Sequence, residues 1–415
     1  MRYPAFLFFA CLSSVSAFAQ WTQVSSPPAD FRTHHSFAFA IDGTGYIVTG
    51  YGSTGELLAS AYRYSPDMDE WTQLPDFPGG TRNYGIGDVW DGKAYFGFGA
   101  GISPGSTTAT SKRDLWVFDP DTQTWTARAE CPCIPRIHPA FVAHQGNIYM
   151  GLGGGEGVGN MNDWWQYNIA SDTWTQKADF PSHPRHHPYQ FAIGDYVYVG
   201  LGHGSIAPDI YNTWYRYDPS NDSWLQVADL PDEGRVAGTQ FSHNGYGYVL
   251  SGEGEDHGSM DTGEFWKYDA VGNSWEELPP HPGASRWAPA SFIIDDEVYL
   301  INGTAFGEFQ AEAYKYKLTD SSSGTISQNN SQLKLQLYPN PFSNQITLDL
   351  EWDEWPDLES VHLKVFDPLG VLVHETNLEA NSSHQILGHL RPGSYLLEFY
   401  NGETKVASRS VIKSL

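Results

Sequence analysis

The sequence predicts an all-β chain: a six-bladed β-propeller followed by a small C-terminal β-sandwich. Two observations carry this. A unit of about fifty residues recurs six times between residues 20 and 318, and from residue 333 the pattern changes to short strands without that period. Composition agrees, since 42 Gly, 26 Pro, 15 Trp and 24 Tyr in 415 residues are turn formers and large strand residues.

The repeat is marked by four residues in fixed phase. Trp recurs at Trp21, Trp71, Trp125, Trp174, Trp224 and Trp275. Arg follows each Trp by eleven positions, at Arg32, Arg82, Arg136, Arg185, Arg235 and Arg286. An aromatic precedes five of the Trp residues by seven positions (Tyr64, Phe118, Tyr167, Tyr217 and Tyr268). Glycine comes 17 or 18 positions after each Arg, at Gly50, Gly99, Gly153, Gly202, Gly252 and Gly303. Within the fourth unit, Gln190–Ile193 and Tyr196–Val199 flank the turn pair Gly194-Asp195. A strand Trp214–Tyr217, a polar turn and a strand opening at Ser223-Trp224 follow. Four short strands per unit make a propeller blade.

The ring also has a predicted closure. The sixth unit has Arg286, Gly303 and Tyr314-Lys315-Tyr316, but Ser323 stands where Trp is due. Trp21 precedes the first Arg without a unit of its own. Residues 21–24 should therefore supply the last blade's outer strand and remove an open sheet edge.

These units resemble kelch repeats, in which a glycine pair ends the second strand and a Tyr and a Trp lie on the third and fourth. The period fits that family better than the shorter WD40 unit. The chain departs from it in spacing the glycines, as in Gly50-Tyr51-Gly52, Gly202-His203-Gly204 and Gly252-Glu253-Gly254. Residues 319–332 read as a polar linker. Beyond it, Tyr338-Pro339-Asn340-Pro341, Val365-Phe366-Asp367-Pro368-Leu369-Gly370 and Leu390-Arg391-Pro392-Gly393-Ser394-Tyr395 appear in order. Residues 333–415 thereby resemble the type A C-terminal domain that directs substrates to the type IX secretion machinery.

Residues 1–19 read as a signal peptide, with Arg2, an apolar run over Phe6–Leu12 and a small-residue cleavage site at Ala17-Phe18-Ala19. No other apolar run reaches the ~20 residues needed to span a bilayer. A net charge of -26 argues against nucleic acid and against adsorption to an anionic membrane. Only Cys131 and Cys133 remain after cleavage. They form either a disulfide or two free thiols in a loop.

Candidate chemistry is sparse. Gly50-Tyr51-Gly52-Ser53-Thr54-Gly55 fits G-x-G-x-x-G, yet a strand follows it where a dinucleotide site needs a helix. The six Arg residues open the inner strands near one mouth of the channel, where they either bind ligand or tie blades together. Positions just after them differ between blades: His34 and His35, Tyr84, His138, His186 and His187, Val236 and Ala237, Trp287 and Ala288. One side of the mouth is thus expected to be rich in His and Tyr, with loops 102–113 and 253–264 walling the same face. Each of His34, His138 and His187 lies two positions after its Arg, so the three are expected at equivalent sites. Convergent imidazoles there can hold Zn²⁺ or Cu²⁺. Acidic clusters such as Asp67-Met68-Asp69-Glu70 read as solvated turns.

No catalytic residue and no cofactor is expected. The leading function is an extracellular binding module for a surface glycan or protein, acting as a monomer. The kelch resemblance implies two enzyme alternatives. One is a sialic-acid mutarotase, which the regular units weaken. The other is a copper radical oxidase, for which neither cysteine has a matching context. A structural role in a cell-surface assembly is the remaining alternative.

Overall fold

The computed structural model describes residues 21–205, 209–318, 333–338, 345–352, 360–367, 371–379, 382–391, 393–401 and 404–413. The proposed signal peptide and the 319–332 linker lie outside them. Among the described residues the sole helical element is a single 3₁₀ turn, Ala29–Phe31.

Six antiparallel sheets follow one another along the chain, each a meander running outward from the axis. Blade one comprises Phe37–Ile41, Thr44–Gly52, Leu57–Ser65 and Glu70–Leu74. In blade four the strands are Tyr189–Ile193, Tyr196–Gly200, Trp214–Asp218 and Ser223–Val227. Apolar side chains of adjacent sheets interdigitate, so the core clusters of the propeller are shared between neighbouring blades. One example joins Phe37, Phe39 and Val48 of blade one to Ala94, Phe96 and Phe118 of blade two.

Blade six is completed from the other end of the repeat region. Thr22–Val24 pairs antiparallel with Ala313–Lys317, placing Thr22 opposite Lys315 and Val24 opposite Ala313. The Trp21 indole packs on Tyr316 and Phe265, with ring centroids 5.2 and 5.8 Å away, and its N–H donates to the Pro279 carbonyl at 3.0 Å.

The Trp repeat has a further reason. The indole N–H groups of Trp71, Trp174, Trp224 and Trp275 donate to the carbonyls of Ser25, Ala129, Ala178 and Ala228, each on the preceding blade. The N–H of the same four residues donates back to Asp69, Asp172, Asp222 and Asn273. Those side chains also accept from Tyr64, Tyr167, Tyr217 and Tyr268 at 2.6–2.8 Å. Asp69 is therefore a clasp between blades and not a merely solvated turn residue. The Tyr167 hydroxyl and the Ala129 N–H hold the Asp172 carboxyl below its ordinary range. Blade two has Phe118 and Gln123 at these positions and lacks the hydroxyl that this clasp uses.

Cys131 and Cys133 are joined by a disulfide, their Cα atoms 5.2 Å apart, buried in the core between blades two and three.

The C-terminal unit has two sheets. Leu333–Tyr338, Ile346–Trp352 and Ser382–Ile386 form one. The other orders Leu372–Glu379, Ser360–Phe366, Gly393–Asn401 and Thr404–Lys413. A core including Ile346, Leu348, Val361, Leu363, Leu397 and Phe399 lies between them. Parts of the three sorting motifs (339–341, 368–370 and Pro392) fall outside the described residues. The Tyr395 hydroxyl bonds the Arg391 carbonyl at 2.8 Å and so fixes the turn of the third.

Deleting residues 20–24 should destabilise the propeller by roughly 3–5 kcal/mol, the cost of losing a packed aromatic, in addition to exposing a sheet edge. Thermal melts of the two proteins check this, and equal midpoints would exclude ring closure by this strand.

Candidate functional site

Repeated glycines set the geometry of the mouth. The N–H groups of Gly50, Gly99, Gly153, Gly202 and Gly252 donate across to the carbonyls of Arg82, Arg136, Arg185, Arg235 and Arg286 on the next blade, all at 2.8–2.9 Å. Gly303 closes the series, donating to Thr33 and not to Arg32. All six glycines have positive φ, between 79° and 125°. At Gly99 a Cβ would lie 2.4 Å from the Asn83 carbonyl of its own blade, so only glycine fits.

The Arg residues do not line the mouth. Arg82, Arg136, Arg185, Arg235 and Arg286 are at most 3 % exposed. Arg82 and Arg136 make bidentate pairs with Asp114 and Asp163 at 2.6–2.8 Å, and also donate to the carbonyls of Phe98 and Leu152. Arg185 and Arg286 donate to the equivalent carbonyls of Leu201 and Asn302, whereas Arg235 pairs with Asp232 and Glu264. Placing them at the mouth is corrected: a guanidinium whose donors are used inside its blade is not free to meet a ligand. Arg32 is exposed and stands outside this set, because blade one carries one extra residue and Thr33 takes the structural position of the Arg.

That extra residue also changes the histidine set. The residues at the innermost turn are His35, Tyr84, His138, His187, Ala237 and Ala288, all left-handed with φ of 47–61°. Backbone bonds link them from blade to blade: His35 N–H to Ala288, His138 to Tyr84, His187 to His138, and Ala288 to Ala237. His35, not His34, is thus the equivalent of His138 and His187. Blades one and four face each other across the axis, yet His35 Nε2 and His187 Nε2 are only 2.9 Å apart. The His138 ring lies against both His187 and Tyr84.

Around this centre the mouth has two chemically different walls. On blades one and six, His34 is stacked between Tyr51 and Phe309 with interplanar angles of 18° and 17°, and Trp287 tilts against it at 4.8 Å. Phe306 is 67 % exposed at the tip of the same blade-six hairpin. On blades three to five, His186 bonds Asn160 at 2.9 Å and approaches His203 at 3.4 Å. His203 reaches Asp209 at 3.2 Å, and the His257 ring packs on His203 at 4.6 Å. His257 comes from the 253–264 loop, which walls this face. The sequence named His34 and His35 together but assigned the equivalent position to His34, and it gave no sign of His203, Asp209 or His257. The signal for His35 was the Arg32–Gly50 spacing of 18 where the other blades have 17.

Behind the histidines runs the central channel, about 500 Å³, lined by the inner strands and holding Asp88. Burial pushes the Asp88 carboxyl up to about 6, against hydrogen bonds from the N–H groups of Ala143 and Val89. The imidazoles shift the other way. Burial lowers His34 and His186 to about 4 each. It also holds His35, His138 and His187 well below 6.5, with the neighbouring imidazoles adding to the effect. At neutral pH the centre is an uncharged imidazole cluster.

Fold and mouth together define a closed kelch-type propeller with one chemically differentiated end. Comparison with known proteins agrees. Residues 336–413 match the family described as secretion system C-terminal sorting domain. Over 112 residues the chain is 31 % identical to Kelch-like protein 34 of Homo sapiens, covering 27 % of this chain and 17 % of that protein. Beta-scruin of Limulus polyphemus is 28 % identical over 138 residues, 32 % of this chain and 14 % of its own length. The chain therefore spans less than a fifth of either relative. The solved structure of YjhT superposes with a TM-score of 0.57 at 16 % identity, covering 70 % of this chain and 96 % of that one. Residues 21–318 thus have the fold of a kelch-type β-propeller, and the C-terminal residues carry a secretion-system sorting domain that directs export to the cell surface or beyond. Among the described residues no helix is long and apolar enough to cross a membrane.

Two measurements follow. Arg136→Leu leaves Asp163 without its partner and should cost about 3 kcal/mol, the low end for a broken buried pair because Asp163 keeps some contact with water. Arg32→Ala should stay within about 0.5 kcal/mol. Equal denaturant midpoints for the two variants would contradict the placement.

Acid should weaken the fold. The unfolded histidines take up protons near pH 6.5, whereas folded His34 and His186 resist until about pH 4 and His35, His138 and His187 are held well below 6.5. Their contribution is therefore complete above pH 6.5 and lost as pH falls toward 4. Asp88 runs oppositely, costing stability as pH rises from 3.8 to about 6. Five imidazoles outweigh one carboxyl, so the melting temperature should drop between pH 6.5 and 4. A flat profile over that window would refute the buried neutral cluster.

Proposed function

We propose that the propeller is a non-enzymatic recognition module that binds a carbohydrate at this mouth, outside the cell. The observation that carries the reading is the pairing of an aromatic wall with a polar wall over the same axis. Trp287 lies 6.4 Å from His187, whose neighbour His186 opens the run to His203 and Asp209. A sugar ring presents C–H groups on one face and hydroxyls around its edge. The apolar face suits Trp287 and Phe309, and the hydroxyls suit neutral imidazoles, Asn160 and Asp209, which offer both donors and acceptors. Because the blades fix both walls, little ordering is needed on binding, which favours affinity.

The test is a glycan array on the exported protein, followed by titration calorimetry with the best binder. Trp287→Ala should weaken binding at least about tenfold, equivalent to about 1.4 kcal/mol. An array without binders, or an affinity unchanged in Trp287→Ala, would sink this reading.

A further inference from the structure

We propose that His35, His138 and His187 together bind one divalent first-row transition-metal ion, Zn²⁺ foremost, at the propeller axis. One ring nitrogen from each lies within 4.8 Å of the others, and the His35–His187 pair is already at 2.9 Å. Bonds of 2.0–2.1 Å to a tetrahedral ion require nitrogens about 3.3 Å apart, so small side-chain adjustments complete the set. The backbones need not move. All three residues sit in the ring of left-handed turns described above, with their N–H groups bonded to the adjacent blade.

Hydrogen-bond accounting points the same way. Among the described residues, both His138 ring nitrogens and His187 Nδ1 are shut off from water without a partner. An imidazole always carries either a proton to donate or a lone pair to fill, and a buried one left unmatched is costly. His35 Nε2 and His187 Nε2 also face each other, so one must be protonated and one bare. A cation between the rings accepts their lone pairs at once. His34 supplies the outer contact usual for a metal-bound imidazole, its Nδ1 lying 2.7 Å from His35 Nδ1 and leaving Nε2 to face the centre. An all-imidazole set suits Zn²⁺, Cu²⁺ or Ni²⁺ and not the oxygen-seeking Mg²⁺ or Ca²⁺. Three protein ligands leave a fourth position for water or an oxygen donor. This inference stands independently of carbohydrate binding.

The exported protein, purified without a histidine tag and stripped with chelator, should take up one equivalent of Zn²⁺ in a titration without sugar. His138→Ala should weaken uptake by more than about a hundredfold, since even an outer partner of a metal ligand is worth about ten- to hundredfold. His34→Ala should cost about tenfold on the same scale, and His203→Ala should keep the full equivalent. Absence of Zn²⁺ binding, or a full equivalent retained by His138→Ala, overturns the site. If circular dichroism shows that His138→Ala is unfolded, X-ray absorption of the zinc-loaded wild type decides. Three imidazole nitrogens at about 2.0–2.1 Å support the assignment. A shell of only two imidazoles with a carboxylate places the ion on His203, Asp209 and His257 and overturns it.

Discussion

The propeller hangs on one backbone bond repeated around the ring: a glycine N–H at the end of each second strand donating to the next blade's first residue. It needs a positive φ and a bare Cα, so it accounts for the glycine period. The same bond sets how closely the blades approach at the axis. That distance fixes the left-handed turns just beyond it, and with them the directions of His35, Tyr84, His138 and His187. Site geometry is thus a consequence of how the blades are joined.

The remaining repeat markers are structural for related reasons. The Trp N–H, the Tyr hydroxyl and the turn Asp or Asn meet one backbone unit of the preceding blade, which holds the outer rims together. The Arg acts within a blade, tying the entry of the inner strand to the second and third strands through carbonyls and carboxylates. A residue that recurs with the period satisfies the backbone groups that recur with it. The proposed binding site accordingly uses positions the repeat leaves free, and those are the ones that differ between His, Tyr, Trp and Ala.

Fold class was legible because the markers are local in sequence and each has one structural task. Blade count, strand order and the turn residues need no knowledge of distant contacts. The site was less legible. His138 and His187 could be placed from phase alone, whereas His35 was displaced by a single inserted residue that the wider Arg32–Gly50 interval records. His203, Asp209 and His257 lie in segments of unequal length between second and third strands, where no period relates one blade to another. Asp69 looked like any acidic turn, since its task depends on Ser25 of a blade that closes from the far end of the repeat.

The two ends of the channel mouth also differ in what they ask of the chain. The aromatic wall of Tyr51, His34, Phe309 and Trp287 joins blades one and six, the pair that no continuous chain links and that the strand Thr22–Val24 closes. Its stacking distances therefore depend on ring closure more directly than those of the histidine wall, which spans blades joined by continuous chain. In a slightly opened ring the break falls between blades six and one, where Thr22–Val24 parts from Ala313–Lys317 and where the bond from His35 to Ala288 crosses. Closure, aromatic platform and His35 are thus mechanically coupled. The Trp21 indole, far out on the rim, helps hold in register the imidazole that completes the centre.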